Sequence, residues 1–180
     1  TMSADVTNHS HSSQSYSIAY VITDAEGRTV AEHHCGTKHT AEQKTSCSAS
    51  ACQQIAPMQT IEQSFRHTVE IANPMLWSPE QPYLYTLTAC IKKDGKVIDA
   101  ESVKFGVREV VFDKDRGLIL NGKSIKLKGV NMHQDHAGVG AAIPDALLEY
   151  RIRQLKKMGC NAYRASHNPT TIAMLNVCDS

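Results

Sequence analysis

"IPDALLEYRIRQLKKMGCNAYRASHNP", Ile143 to Pro169, decides what the second half of this chain is. Leu148, Ile152 and Leu155 recur at i, i+4 and i+7, and Met158 extends the stripe, while Arg151, Arg153, Lys156 and Lys157 fall elsewhere on the wheel. That spacing predicts an amphipathic helix. Its ends agree: Pro144 suits an early helical position, Asp145 the positive end of the dipole, the two lysines the negative end, and Gly159 the residue just past the last turn. "CNAYRA" then reads as a short strand, and "PTTIAMLNVCD" starts a second helix with Pro169 on its N-terminal side. Upstream, "IKLKGV" (Ile125 to Val130) is the preceding strand. Strand, helix, strand, helix implies a parallel sheet with helical crossovers. Two such units follow Arg108, whereas a closed eight-stranded barrel takes roughly 250 residues, so the chain is expected to stop inside a domain at Ser180. The stripe of the helix must then find other cover or stay exposed.

Both strands run into polar clusters. "IKLKGV" is followed by "NMHQDH", Asn131 to His136, and "CNAYR" ends at Ala165-Ser166-His167-Asn168. In a parallel βα sheet ligands bind beyond the carboxyl ends of the strands, and adjacent parallel strands expose those ends on one face. His133 and His167 are therefore expected to point toward one pocket. Any one of these His, Asn or Asp residues alone reads more readily as a turn cap, and Arg164 equally well as the ion-pair partner of a carboxylate on a neighbouring strand; the two clusters together point to a site.

Before Arg108 the pattern is strand, turn, strand. "YSIAYVIT" (Tyr16 to Thr23) and "RTVAEHH" flank "DAEG", where Gly27 is available for a positive φ. Thr37 to Met58 reads as a long connection with one irregular strand at most, and "SFRHTVEI" (Ser64 to Ile71) as a strand. "YLYTLTACI" and "KVIDAESVKF" form the clearest hairpin, turning at Asp94-Gly95. Pro74, Pro79 and Pro82 forbid a central strand around Trp77, which is expected on an edge or connection with its ring packed inward. "EVVFDKDRGLILNGKSIKLKGV" adds two short strands joined through Asn121-Gly122. Short strands at this spacing predict a β-sandwich over 1–108, with the βα region over 109–180.

Lys+Arg 19 against Asp+Glu 18 gives no charge bias toward nucleic acid or an anionic membrane, which favours a neutral partner. No apolar run approaches the roughly 18 residues of a membrane helix, and "TMSADVTNHSHSS" lacks the basic and apolar regions of a signal peptide. A soluble chain is expected, its compartment unread. The six cysteines show no CxxC pair, so the redox compartment stays open; His33, His34, Cys35, His39, Cys47 and Cys52 sketch a zinc site without the spacing of known zinc modules.

"LWSPEQPYLYTL", "FGVREV", "LNGKSIKLKGVNMHQDH", "MGCNAYRASHNPTT" and "CDS" in this order resemble glycoside hydrolase family 2, in particular its β-galactosidases of the Bacteroidetes type. The resemblance covers Ser64 to Ser180. It implies a mainly β fold, an immunoglobulin-like β-sandwich followed by the first βα units of an incomplete (β/α)8 TIM barrel, and a parent enzyme that hydrolyses terminal β-D-galactosyl residues with retention. By the same resemblance His133 and His167 hold sugar hydroxyls, Arg164 supports the catalytic carboxylates, and Asp135 and His136 line the entrance. Asn168 stands where tyrosine is commonest, which bears on sugar specificity. The family's two catalytic glutamates, the first preceded by Asn, have no counterpart: the chain has no Asn-Glu dipeptide. The magnesium ligands of some members also lie beyond Ser180, so the chain is expected to hold no catalytic residue, metal or other cofactor of its own, and to be inactive alone. The implied partner is a β-galactoside, with homo-oligomerisation and a cytoplasmic or periplasmic parent both left open. β-Glucuronidase and β-mannosidase share this layout, and a non-catalytic carbohydrate-binding or scaffold module is the reading outside enzymes.

Overall fold

In a computed structural model the structure describes residues 1–34 and 53–179. Two compact units are present, Thr1–Pro74 with Tyr85–Phe105, and Met75–Leu84 with Gly106–Ser180.

The first unit is antiparallel β throughout. Its strands are β1 (Met2–Thr7), β2 (Gln14–Thr23), β3 (Thr29–His34), β4 (Gln53–Ile55), β5 (Thr60–His67), β6 (Tyr85–Lys93) and β7 (Lys96–Phe105). β3, β2, β6 and β7 lie in that order with β4 on the start of β2, while β1 and β5 form a second sheet. Strand β2 carries the core: Tyr16, Ile18, Tyr20 and Ile22 alternate onto one buried face, as a period of two requires. Tyr20 and His33 meet His67 from the other sheet, at ring separations of 6.1 and 4.1 Å. Burial pushes the pKa of His67 down, and the nearby His33 adds to the shift. This is a β-sandwich.

The turns formed as their residues dictate. Asp94 and Gly95 both take positive φ, 50° and 75°, the type I′ geometry. In the β2–β3 turn, Gly27 has φ 80° and Asp24 accepts from the backbone N–H groups of Glu26 and Arg28 and from the Arg28 guanidinium. Burial opposes ionisation of Asp24, but these bonds and the adjacent cation outweigh it and hold the carboxyl below its usual range.

Two expectations shift here. A strand forms at Met2–Thr7, which the residue pattern left unassigned; its pairing with β5, from Met2↔His67 to Thr7↔Thr60, fixes β5 at Thr60–His67 instead of Ser64–Ile71. Buried Asn8 closes the end of β1, its amide donating to the carbonyls of Ser12 and Ile55. Within the described part of the Thr37–Met58 stretch a strand forms at β4, paired to Gln14–Tyr16; residues 37–52 and the sketched zinc ligands Cys35, His39, Cys47 and Cys52 lie outside the described residues.

The second unit holds β8 (Val110–Asp113), β9 (Gly117–Leu120), β10 (Lys123–Ile125), β11 (Gly129–His133), α1 (Asp145–Lys157), β12 (Ala162–Ser166) and α2 (Ile172–Asp179). β8, β9 and β10 make an antiparallel meander, turned at Asn121 (φ 50°) and Gly122 (φ 77°). It has three strands where the sequence suggests two, because Asp113 caps the extra turn by accepting from the N–H groups of Asp115 and Arg116. Trp77 lies in a connection, half-buried, with Arg108 stacked 4.8 Å from its ring centre and its indole N–H donating to the Asp179 carbonyl. Gly106 leaves the room: a Cβ there would stand 2.7 Å from that of Trp77.

Helix α1 runs as its stripe predicts, and the αL residue Gly159 (φ 86°) ends it. The Gly159 N–H reaches the Lys156 carbonyl and the Cys160 N–H that of Leu155, a Schellman motif. Leu148 is buried and Ile152 and Leu155 are half-buried, whereas Met158 is 72% exposed and lies past the covered part of the stripe. Helix α2 begins at Ile172, three residues beyond Pro169, because the Thr171 hydroxyl accepts from the Met174 N–H as an N-cap.

Candidate functional site

Strands β11 and β12 are hydrogen-bonded in parallel, in register from Gly129↔Ala162 to His133↔Ser166. The first of them begins later than "IKLKGV" suggests: residues 126–128 are in no strand, and Asn131, Met132 and His133 belong to the strand itself. Successive side chains therefore divide between two faces. Val130, Met132, Tyr163 and Ala165 are half-buried on one, while Asn131, His133 and Arg164 are exposed on the other. The close approach of the strands demands a glycine. A Cβ on Gly129 would lie 2.3 Å from the Ala162 carbonyl oxygen and 2.8 Å from its carbon, closer than any real contact.

That approach sets the two carboxyl ends abreast. His133 closes β11 and His167 follows β12, and their rings meet at 5.6 Å between centres and 84° between planes. Arg164 Nη1 stands 3.3 Å from His167 Nδ1 and 3.3 Å from the Oγ of buried Ser166. Arg164 thus stands against an imidazole and a hydroxyl, and no ion pair of Arg164 is seen among the described residues. The Ser166–His167 peptide is cis.

The other expected residues lie on the flanking loops. Asp135 is exposed, and its carbonyl accepts from Arg151 Nη1 at 2.9 Å, while Arg151 Nη2 reaches the His133 carbonyl at 3.4 Å. His136 closes a tight loop, exchanging backbone bonds with Gly140, and its Nδ1 lies 2.9 Å from the Ala137 carbonyl oxygen. Asn168 is exposed on the turn after β12, next to Pro169, whose carbonyl accepts from Gln134 Nε2 at 2.6 Å. The fold therefore brings His133, Arg164 and His167 together and leaves Asp135, His136 and Asn168 on the loops that follow the two strands.

Three contributors escaped the residue pattern. Gln134 ties the end of β11 to the turn after β12, Ser166 anchors Arg164, and Arg151 carries the loop carbonyls on helix α1. Only Arg151 had a legible signal, since it lies three residues from Leu148 and so on a neighbouring part of the wheel.

Behind the strands a cavity of about 120 Å³ separates Met132 and Tyr163 from Leu148 and Met174. A larger one, about 560 Å³, opens near the amino ends of the same strands, between Trp77, Arg108, Leu155, Cys160 and Cys178. Burial pushes the Cys178 thiol up, Asp179 adds to the shift and Lys156 opposes it. Among the described residues no three His, Cys, Asp or Glu side chains gather as a metal cage would need, and no helix is long and apolar enough to cross a membrane.

Two imidazoles and a guanidinium make a set of donors and acceptors suited to neutral hydroxyl groups. Asp135 is the one carboxylate within the two polar clusters. Glycoside cleavage with retention uses two, about 5 Å apart.

The model for "Glycosyl hydrolases family 2" matches residues 1–108, and that for "Glycosyl hydrolases family 2, TIM barrel domain" matches residues 111–180. The chain is 31% identical to β-galactosidase BoGH2A of Bacteroides ovatus over 178 residues, covering 99% of this chain and 19% of that protein. It is 41% identical to a putative β-glucuronidase of Formosa agariphila over 111 residues, covering 62% of this chain and 11% of that one. In structure it is similar to a glycosyl hydrolase family 2 member from Bacteroides cellulosilyticus, with a TM-score of 0.74 and 34% identity over 93% of this chain and 20% of the other. The chain spans about a fifth or less of the length of these relatives. The sandwich is accordingly immunoglobulin-like, and the parallel βα units are the opening of a TIM barrel.

Proposed function

This chain belongs to glycosyl hydrolase family 2, and from that premise we propose that it is the sandwich-to-barrel segment of a retaining glycosidase acting on terminal β-D-galactosyl residues. The observation that carries the reading is the His133–His167 pair, 5.6 Å apart at the carboxyl ends of adjacent parallel strands, where barrel enzymes bind their substrates. His133 and His167 hold hydroxyl groups of the non-reducing sugar. Arg164 supports the site from the strand behind His167, and Asp135, His136 and Asn168 line its entrance. With one carboxylate in the two clusters, the chain supplies half of a sugar subsite and neither member of the catalytic pair.

β-Glucuronidase is the second reading, favoured by the 41% identity to the putative β-glucuronidase over the region that includes much of the chain. The longer protein carrying this chain, assayed on nitrophenyl β-galactoside, β-glucuronide and β-mannoside, decides between them. At least a tenfold preference in kcat/KM for the galactoside is expected, and a preference for either other sugar overturns the galactosyl reading. The 180-residue chain alone should release no nitrophenol above background; release at rates near those of a full-length relative would refute its inactivity.

A further inference from the structure

We infer that Arg164 is a positioning residue that fixes the ring tautomer of His167, so that His167 presents an Nε2–H donor at the carboxyl end of the parallel sheet. The contact that carries this is the 3.3 Å approach of Arg164 Nη1 to His167 Nδ1. A guanidinium has five N–H donors and no acceptor. A neutral imidazole has one of each. Nδ1 must therefore offer its lone pair, and the ring proton sits on Nε2. An imidazolium cannot take this geometry, because both of its nitrogens are donors.

The guanidinium is held for that task. Nη1 also reaches the Oγ of Ser166, which is 2% exposed and two residues away on the same face of β12. The His133 ring stands nearly perpendicular to that of His167, 5.6 Å away between centres. His136 supplies the contrast within one loop of the site. Its Nδ1 faces the Ala137 carbonyl oxygen at 2.9 Å, which can only accept, so His136 carries its proton on Nδ1 and leaves Nε2 as the acceptor. Two histidines of the same neighbourhood thus hold opposite tautomers, each set by the partner of Nδ1. That the Nε2–H of His167 meets a sugar hydroxyl oxygen rests on the proposed function; the tautomer itself does not.

Long-range proton–nitrogen correlation spectra of the nitrogen-labelled 180-residue chain, recorded without sugar at a pH where exposed imidazoles are neutral, read this directly. His167 and His136 are assigned by the loss of their signals in His167→Gln and His136→Gln. His167 is expected to show the Nε2–H pattern and His136 the Nδ1–H pattern. In Arg164→Met the two nitrogen shifts of His167 should draw together toward those of the exposed His9 and His11 in the same spectrum. An Nδ1–H pattern at His167 overturns the inference, as does a wild-type spectrum in which His167 already matches His9 and His11. If Arg164→Met does not fold, the wild-type spectrum alone decides. A correct tautomer in a protein that shows no activity on galactosides leaves the inference standing and removes the sugar reading.

Discussion

Replacing Gly129 by alanine tests how tightly the site depends on the approach of two strands. The added methyl would sit 2.3 Å from the Ala162 carbonyl oxygen, where ordinary contacts begin at 3.4 Å. Relief requires the backbones of β11 and β12 to separate by about an ångström, since neither atom belongs to a flexible side chain. Close by, the Asn161 and Ala162 N–H groups donate to the Lys128 carbonyl, at 2.9 and 3.2 Å. Stretched by that much, both pass beyond hydrogen-bonding distance. At about 0.5–1.5 kcal/mol for each bond, with the residual strain of an overpacked site at roughly 1–3 kcal/mol, Gly129→Ala should cost about 2–6 kcal/mol. Trp77 is the chain's one tryptophan and lies in the same unit as these strands, so its fluorescence during urea unfolding reports the loss. The same substitution should move His133 away from His167 and weaken the mutual ring-current shifts of the two imidazoles. A variant within about 0.5 kcal/mol of wild type, near the scatter of neutral surface changes, with unaltered histidine spectra, would refute the steric argument.

Leu148 is 6% exposed beneath the strands, and Leu148→Ala should cost about 2–5 kcal/mol by the usual range for a buried leucine, read on the same fluorescence transition. Asp24 is held below its usual range, so its stabilising contribution is present above the unfolded carboxylate value of about 3.9 and is lost as the pH falls through the lower folded value. Asp24→Asn should therefore be less stable than wild type at neutral pH, with the gap closing in acid; a gap independent of pH counts against the ion pair. His67 is shifted down from the ordinary imidazole value of about 6.5, so its neutral form is favoured in the sandwich above that value and the benefit fades as the pH falls through the folded one. His67→Gln should flatten the circular-dichroism melting temperature of the first unit between pH 7 and 5, and a slope equal to that of wild type would place the titration elsewhere.

How much of this was legible beforehand follows from what each element depends on. The hairpins at Asp94-Gly95 and Asn121-Gly122, the helix from Asp145 and its Gly159 stop rest on bonds between residues a few positions apart, and local chemistry suffices to write them. β1 and the true limits of β5 rest on each other although they lie far apart along the chain, and neither segment alternates strongly enough to announce itself. The extra strand before Gly117 needed the Asp113 cap, and the start of β11 needed Gly129 to meet Ala162, contacts that no window of the sequence displays.

The site divides along the same line. Residue types and order determined that two strand ends would carry His133 and His167, and the parallel βα pattern determined that both would emerge on one side, because crossovers by helices leave no other arrangement. Tertiary structure decided the rest: that the rings stand 5.6 Å apart, that Arg164 meets an imidazole and a hydroxyl, and that Arg151 and Gln134 hold the loops. These are contacts of side chains with atoms of other elements. Their distances are set by how closely two backbones approach, which is a property of the packed sheet and not of either strand.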